Sequence, residues 1–407
     1  MKVYEVGGAV RDALLGRDVR ERDWVVVGAT ADELLGRGYR QVGKDFPVFL
    51  HPQTGEEYAL ARTETKTAPG HSGFSVHAAP DITLEEDLYR RDLTINAIAR
   101  DADGRLVDPY GGRADLEARV LRHVSNAFVE DPLRVLRVAR FQAQFAALGF
   151  EIASETLRLM SDIARSGELD TLRPERIWQE TDKALAGPSP RAYFEALRRC
   201  DALGPLFPEI EALFGVPQPP RWHPEIDTGV HTLMALDIAT ALSDDPAVRF
   251  ATLTHDLGKA QTPAERLPKH RGHEERSVTL IAALAERLPV PKRYRELAEA
   301  VARYHGLVHR AEELRPQTLL KIVEATDGFR RPQRFVALLL ACEADARGRL
   351  GLERSAYPQR GHLLAARDAA AHASTEGLAE EPDGRVVAER LRERRIAAIA
   401  AELKRAR

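Results

Sequence analysis

The sequence predicts an α+β chain in which a small mixed sheet comes first and a long helical body follows. Three observations carry this. Short apolar runs of strand character alternate with helical stretches up to about residue 125. From Asp131 onward the hydrophobic spacing is helical almost to the end. The length, 407 residues, exceeds one ordinary core and suggests about two to four domains.

In order, "KVYEV", "WVVV", "FPVFL" and "EYALA" read as strands. "TKTAPGHSG", Thr65 to Gly73, is rich in Gly, Pro and small polar residues and reads as a mobile loop. "FGVPQPPRWHPE", Phe214 to Glu225, is proline-dense and reads as a linker. "EEPDG", Glu380 to Gly384, precedes a charged, basic terminal helix. Hydrophobic residues are 44% and charged residues 30%, an ordinary globular composition. The opening "MKVYEVGG" has no long apolar run, so no secretory signal is expected. No stretch of roughly eighteen apolar residues occurs, so no membrane span is expected. Cys200 and Cys342 match no metal or redox spacing and read as core or chance residues in a reducing cytoplasm. The net charge of -3 leaves a nucleic-acid partner open, provided any basic surface is segregated from the acids.

"RERDWVVVG" places Glu21 and Asp23 one residue apart at the mouth of a strand. Side chains at i and i+2 leave a strand on one face. Two carboxylates that close repel, and a hard divalent ion relieves them; Mg²⁺ takes one or two carboxylates plus substrate phosphates. The plain alternative is a solvated turn before a core strand. "GGAVRDALLG" follows the first strand, and its Gly pair permits close backbone approach to a ligand. The helix after it offers free N–H groups to phosphate, and Arg11 can add a bidentate contact. The order strand, Gly-Gly, helix with Arg, then strand with paired acids suits nucleotidyl transfer. In "YRRDLTINAIA", Arg90, Arg91, Asp92 and Asn96 read equally well as ligand contacts or as a capped helix start with solvated arginines.

"EDPLRVLRVARF", Glu130 to Phe141, starts a helix with Asp131 as cap and Pro132 at the first helical position. At about 100° per residue, Arg134, Arg137 and Arg140 form one stripe, opposite Val135, Val138, Ala139 and Ala143. Arginine stripes are usually solvated. These three have no interleaved acid, so they repel, and an anionic ligand would relieve the cost. Farther on, His231, the pair His255-Asp256, His273, His305 and Asp345 follow one another along helical stretches. Imidazole with carboxylate suits Mn, Co, Ni or Zn better than Mg. With 13 histidines in the chain, any single one is more often surface or packing.

The motifs "GGAVRD", the paired acids, "RRDLTINA" and "EDPLRVLRVARF", in this order, resemble the bacterial class II CCA-adding tRNA nucleotidyltransferases. The resemblance runs on through "HDLGK" and its flanking His and Asp into an HD phosphohydrolase pattern, covering nearly the whole chain. It implies a nucleotidyltransferase head over residues 1–125, a helical neck and body with the nucleotide-selecting helix over 126–220, an HD domain over 221–370 and a helical tail over 371–407. It implies Mg²⁺ on Glu21 and Asp23 as catalytic acids. It implies nucleotide contacts from Gly8, Arg11, Arg91, Arg137 and Arg140, and base selection by Asp131 and Arg134. The acid pair is commonly Asp-x-Asp in that family; Glu21 reaches one methylene further. Glu57 is a candidate third carboxylate. At the HD site the resemblance implies His255 and Asp256 on a transition metal, Ni²⁺ among the candidates.

The implied activity is template-free addition and repair of the tRNA 3′ CCA end from CTP and ATP. The HD site would add phosphodiesterase, 2′-nucleotidase and phosphatase activities. CTP and ATP share an exocyclic amine beside a ring-nitrogen acceptor, whereas GTP and UTP present the reverse. A carboxylate only accepts and a guanidinium only donates, so Asp131 with Arg134 would take C and A and reject G and U. A cytoplasmic protein, monomeric or a weak homo-oligomer, with tRNA as partner and no membrane, is the expectation. The rivals are a poly(A) polymerase of the same superfamily, which normally carries a basic tail in place of the HD domain, and an HD hydrolase whose head only binds RNA.

Overall fold

Period-two alternation in the first hundred residues produces a seven-stranded mixed sheet with both faces covered. The computed structural model describes residues 1–19, 21–42, 48–66, 74–378 and 383–405. The sheet strands are β1 (Lys2–Val6), β2 (Asp23–Val27), β3 (Arg40–Val42), β4 (Val48–Leu50) and β5 (Glu57–Leu60). β6 (Arg62–Lys66) and β7 (Phe74–Ala78) form a separate antiparallel pair; β8 (Ala99–Arg100) and β9 (Leu106–Val107) complete the main sheet. Its order is β3-β4-β5-β2-β1-β8-β9. β1 and β2 are antiparallel and β2 and β5 parallel, so Asp23 lies opposite Val6 on one side and Glu57 on the other. Val6 and Val25 face Leu84 and Leu88 on one side of the sheet. Val26, Phe49, Tyr58 and Leu60 face Leu34 on the other. That two-sided burial is why "WVVV" is a continuous apolar run.

The helices of the N-terminal half are α1 (Gly8–Leu14), α2 (Ala31–Gly36), α3 (Leu84–Tyr89) and α4 (Gly112–Ala118), then α5 (Leu133–Phe145), α6 (Ser154–Arg165), α7 (Pro174–Ala186), α8 (Pro190–Arg199) and α9 (Leu203–Leu206). α5 packs on α7 and α8. Val135, Val138, Ala139 and Ala143 are fully buried there, as the helical wheel predicts.

The chain divides into two compact units, Met1–Leu206 and Phe207–Arg407. The second is helical: α10 (Pro208–Glu211), α11 (Thr228–Leu242), α12 (Pro246–Thr254), α13 (His273–Arg287), α14 (Lys292–Val308), α15 (Pro316–Ala325), α16 (Pro332–Arg347), α17 (Pro358–Ala371) and α18 (Gly384–Arg405). α12, α14 and α16 pack mutually, and α11 lies on α12 and α16. α11 is apolar on most of its circumference because it is enclosed. Both cysteines are buried and unpaired; burial pushes the Cys200 thiol up to about 12.

Two expectations change. Phe214–Glu225 contains no helix or strand beyond a single bridge of Pro217 to Asp227, yet it is no free linker. Gln218 and His223 are buried, because the segment supplies polar side chains to the second unit's interior. The loop read over Thr65–Gly73 begins in strand β6 as far as Lys66. Its remainder, 67–73, lies outside the described residues, as do 46 and 47 of "FPVFL" and 380–382 of the stretch before the last helix. No described helix is long and apolar enough to cross a membrane.

Candidate active sites

Gly8, Arg11, Asp23, Arg91, Asp131, Arg134, Arg137 and Arg140 all line one cleft of about 590 Å³ in the first unit. Arg90 and Arg176 join them, so seven arginines face three aspartates, Asp23, Asp92 and Asp131. Such an excess suits a polyanion. β1 ends at the cleft and turns through Gly7, whose φ of 71° places it in the left-handed region. A Cβ at Gly7 would meet Arg91 Nη1 at 2.9 Å. The left-handed conformation favours glycine there, and the guanidinium tip of Arg91 occupies the space a side chain would take.

Glu21 lies just before β2, exposed, and Asp23 opens the strand. Neither carboxylate accepts a hydrogen bond or ion pair among the described residues. Protein around the Asp23 carboxyl strips its hydration and raises its pKa; Arg91 opposes this and Glu21 adds to it. Asp23, with Glu21 close enough to raise its pKa and Glu57 opposite it across the ladder, offers carboxylate oxygens of the kind Mg²⁺ takes.

Arg137 and Arg140 are held by acids far off in the sequence, whereas Arg91 takes partners four and five residues away and Arg11 pairs with its neighbour Asp12 as well as with Asn96. Arg11 donates from Nη1 to Asn96 Oδ1 at 2.5 Å and stacks over Phe145. Arg91 donates to the Asn96 carbonyl and to Asp87. Arg137 pairs with Asp92 at 2.7 Å, and Arg140 with Glu180 at 2.6 Å. Burial alone would raise the Asp92 carboxyl, but Arg137 and the Asn96 amide reverse this and hold it well below the usual range. The stripe's repulsion is thus relieved by acids from other elements, not by an anionic ligand alone. "YRRDLTINA" resolves the same way: Asp92 is buried between Arg137 and the Asn96 amide, rather than capping a solvated helix.

At the start of α5, Asp131 Oδ1 accepts from the Leu133 amide at 3.0 Å, and its Oδ2 accepts from Arg176 at 3.1 Å. Asp131 therefore caps and faces the cleft together. Arg134 is buried and donates to the carbonyls of Ala127 and Arg90, each at 2.5 Å. It bridges α5 to the head and still lines the cleft.

A second constellation sits among α11, α12, α13, α14 and α16. His255 Nε2 lies 3.0 Å from Asp256 and 3.6 Å from Asp345. His231 Nε2 is 3.0 Å from Asp345. His273 Nε2 is 3.2 Å from Asp256. His305 Nε2 is 3.7 Å from Asp256. All six residues are at least largely buried. Burial would lower the His255 pKa, but Asp256 and Asp345 push it up to about 10, so the centre draws positive charge. Burial holds His305 down to about 3, so it is a neutral imidazole. Among the described residues, His255 Nε2 and Asp256 Oδ1 are buried without a hydrogen-bond partner. Orphaned donors of this kind fit a transition metal. The mouth, a cavity of about 400 Å³, includes Trp222, Lys269, Arg271 and Arg349.

Several residues at these sites escaped sequence reasoning. Arg176 and Glu180 sit on α7 at helical spacing, which reads as an ordinary solvated face. Phe141 reads as core. His309, 2.6 Å from Asp345 and 2.9 Å from the Tyr357 hydroxyl, stands among many histidines. His223 and Glu225 lie in the proline-rich stretch, where Glu225 contacts both His223 and His231. Their only signal was a His and a Glu just before the first motif histidine.

Family models match three segments: a poly A polymerase head domain over residues 3–122, a probable RNA and SrmB-binding site of polymerase A over 149–214, and an HD domain over 228–345. The multifunctional CCA protein of Thioalkalivibrio sulfidiphilus (strain HL-EbGR7) is 63% identical over 400 residues, covering 98% of both chains. That of Nitrosococcus oceani is 62% identical over 400 residues, again covering 98% of each. Among solved structures, a complex of a CCA-adding enzyme with ATP matches with a TM-score of 0.66 at 20% identity, over 99% of this chain and 88% of that one. A tRNA-processing enzyme with CTP matches at 0.59 and 22%, over 98% and 96%. These structures share the fold. With its paired head acids, its arginine cleft and its His/Asp cluster, and at this level of identity over nearly its full length, the chain belongs to the family of multifunctional CCA proteins, a nucleotidyltransferase head joined to an HD domain.

Proposed function

We propose that the first unit's cleft binds CTP or ATP and adds CMP and AMP to the 3′ end of tRNA, rebuilding CCA without a nucleic-acid template. The observation that carries this is the convergence of seven arginines on one cleft that also holds Asp23. Arg11, Arg91, Arg137 and Arg140 bind the triphosphate, positioned by Asn96, Asp87, Asp92 and Glu180. Glu21 and Asp23 hold Mg²⁺, which when bound neutralises charge developing on the phosphates. The RNA 3′-hydroxyl attacks the α-phosphorus, a phosphodiester forms and pyrophosphate leaves. Asp131 accepts from the base amine and Arg134 donates to the ring nitrogen. Both are fixed by their other contacts, so the base edge is read by groups that cannot turn to suit a wrong base.

The second unit's cluster hydrolyses 2′,3′-cyclic phosphates and phosphomonoesters with a transition metal, Ni²⁺ among the candidates. Hydrolysis of a cyclic end restores the free hydroxyl that the first reaction needs. Trp222, exposed at the mouth beside Lys269, Arg271 and Arg349, offers a ring face and cations to an RNA terminus. The test is incorporation of labelled CTP and ATP into tRNA lacking its end, beside hydrolysis of a cyclic-phosphate RNA. Asp23→Ala abolishes incorporation and spares hydrolysis. Equal loss of both in a folded variant overturns the assignment of two separate centres.

A further inference from the structure

We propose that Phe141 is a positioning residue for nucleotide addition: its ring gathers the guanidinium groups of Arg11, Arg137 and Arg140 for the triphosphate without cancelling their charge. The proposal rests on the reading of the first unit's cleft as a nucleotide site and goes beyond it in naming what keeps three like charges together there.

Phe141 lies on α5, 5% exposed, and lines the cleft. Three guanidinium carbons stand over its ring, that of Arg140 at 4.2 Å from the centroid, that of Arg11 at 5.4 Å and that of Arg137 at 5.8 Å. Arg137 and Arg140 belong to α5 itself, whereas Arg11 arrives from α1. One helical turn on, the Phe145 ring lies 6.1 Å from that of Phe141 with 5° between their planes, and Arg11 stands 4.9 Å over it as well. A cation within about 6 Å of a ring centroid is drawn to the ring's negative face, and strong contacts of this kind occur about once per 70–80 residues. Three on one ring exceed what the packing of an ordinary core phenylalanine supplies. A leucine would fill the space and attract none of them.

The ring does what the acids around it cannot. Asp12 holds Arg11 at 3.0 Å, Asp92 holds Arg137 at 2.7 Å and Glu180 holds Arg140 at 2.6 Å. Each carboxylate cancels a charge and occupies N–H donors that a phosphate would use. The ring cancels no charge and takes no N–H, because the attraction is to its π face rather than to a lone pair. The guanidiniums are thus held close while the donors at their rims stay open to an anion. A triphosphate then meets a cluster already assembled, and less binding energy goes into ordering it.

The test replaces Phe141 in the full-length chain, by suppression of a stop codon, with phenylalanine carrying one, two or three ring fluorines. Fluorine draws charge from the ring face and leaves the ring nearly the same size, so packing stays while the attraction fades in steps. KM for CTP and for ATP is expected to rise with each fluorine, about tenfold by the third, while kcat changes little, because the triphosphate is gripped alike in ground and transition states. The ratio of kcat/KM for CTP over UTP is expected to hold its wild-type value, since the cations on the ring are those of the triphosphate and not Arg134. Phe141→Leu, apolar but without a π face, should raise KM at least as far. A KM flat across the fluorinated series, in protein that still adds CMP, overturns the role of the ring and leaves the nucleotide reading standing. A CTP-over-UTP ratio that shifts in step with KM overturns it in favour of a displaced α5. If Phe141→Leu does not fold, the fluorinated series decides alone. A wild-type chain that adds no nucleotide to tRNA overturns the cleft reading and the proposal together.

Discussion

Arg134 shows how one side chain carries two duties that stability and selectivity separate. It latches α5 to the head through two buried carbonyls and lines the cleft where a base edge would lie. A hydrogen bond from a charged group is worth about 1.5–3 kcal/mol, and 1.4 kcal/mol is about tenfold. Arg134→Ala is therefore expected to lower Tm and also to relax the ratio of kcat/KM for CTP over UTP by roughly ten- to a hundredfold. A lower Tm with an unchanged ratio would make Arg134 a latch alone. Asp92 makes a pH prediction. Burial would raise its carboxyl, but Arg137 and the Asn96 amide hold it well below the usual carboxylate range. A depressed carboxylate stabilises above its unfolded pKa, and the contribution is lost as pH falls toward the folded one. Asp92→Asn should cost about 2 kcal/mol at pH 7, below the range for a fully buried pair because the Arg137 side chain keeps some solvent exposure. The gap to wild type should narrow from about pH 4 downward; a gap constant between pH 7 and pH 3 in chemical denaturation would contradict the assignment.

At the scale of elements, placement of α13 decides whether His273 and His305 meet. The turn Leu257–Gln261 packs on α13 through Gly258. A Cβ there would lie 2.3 Å from the His273 carbonyl and 2.6 Å from the Ser277 amide. Backbone atoms cannot step aside as a side-chain tip can, so Gly258→Ala pushes α13 away. Overpacking of this kind costs about 1–3 kcal/mol, and a shift of about 1 Å at a reacting centre can cost on the order of a hundredfold in rate. Hydrolysis of cyclic-phosphate RNA is expected to fall that far while nucleotide addition is unchanged, both read on one preparation. α5 makes the complementary point about legibility. Asp131-Pro132 announced its start, and the valines and alanines of its buried face were readable from spacing alone. The acids that neutralise its arginines were not readable, since Asp92 and Glu180 lie about forty residues away on either side.

Across the whole molecule, a net charge of -3 coexists with a cleft of seven arginines and a basic final helix. Net charge sets long-range repulsion, but phosphate contacts answer to local charge. Binding of tRNA should therefore weaken linearly in log Kd against log salt, with a slope of roughly 0.7–0.9 per phosphate contacted. A flat response in a filter-binding titration would remove the case for arginine contacts along the RNA backbone. Each unit carries its own cluster, so the two chemistries are expected to respond to separate substitutions.

The sequence by itself determined the α+β class, the strands β1, β2, β4 and β5, the start of α5 and the motifs on which the family is recognised. These rest on local period, on turn chemistry and on residue types at short spacing, all of which a linear chain displays. It also put Glu21 and Asp23 at the mouth of β2, but Glu21 precedes the strand and only Asp23 of the two lines the cleft, so the shared-face expectation does not carry over. Only the tertiary structure decided which partner each arginine takes, that Asp131 both caps and faces the cleft, and that the proline-rich stretch is built into the second unit's interior. Only it decided that six His and Asp side chains from four helices and the turn after α12 sort into two triads rather than one. The reason is the same in each case: an ion pair or a ligand set is a matter of distance in space, and contacts between residues tens of positions apart leave no period in the chain that makes them.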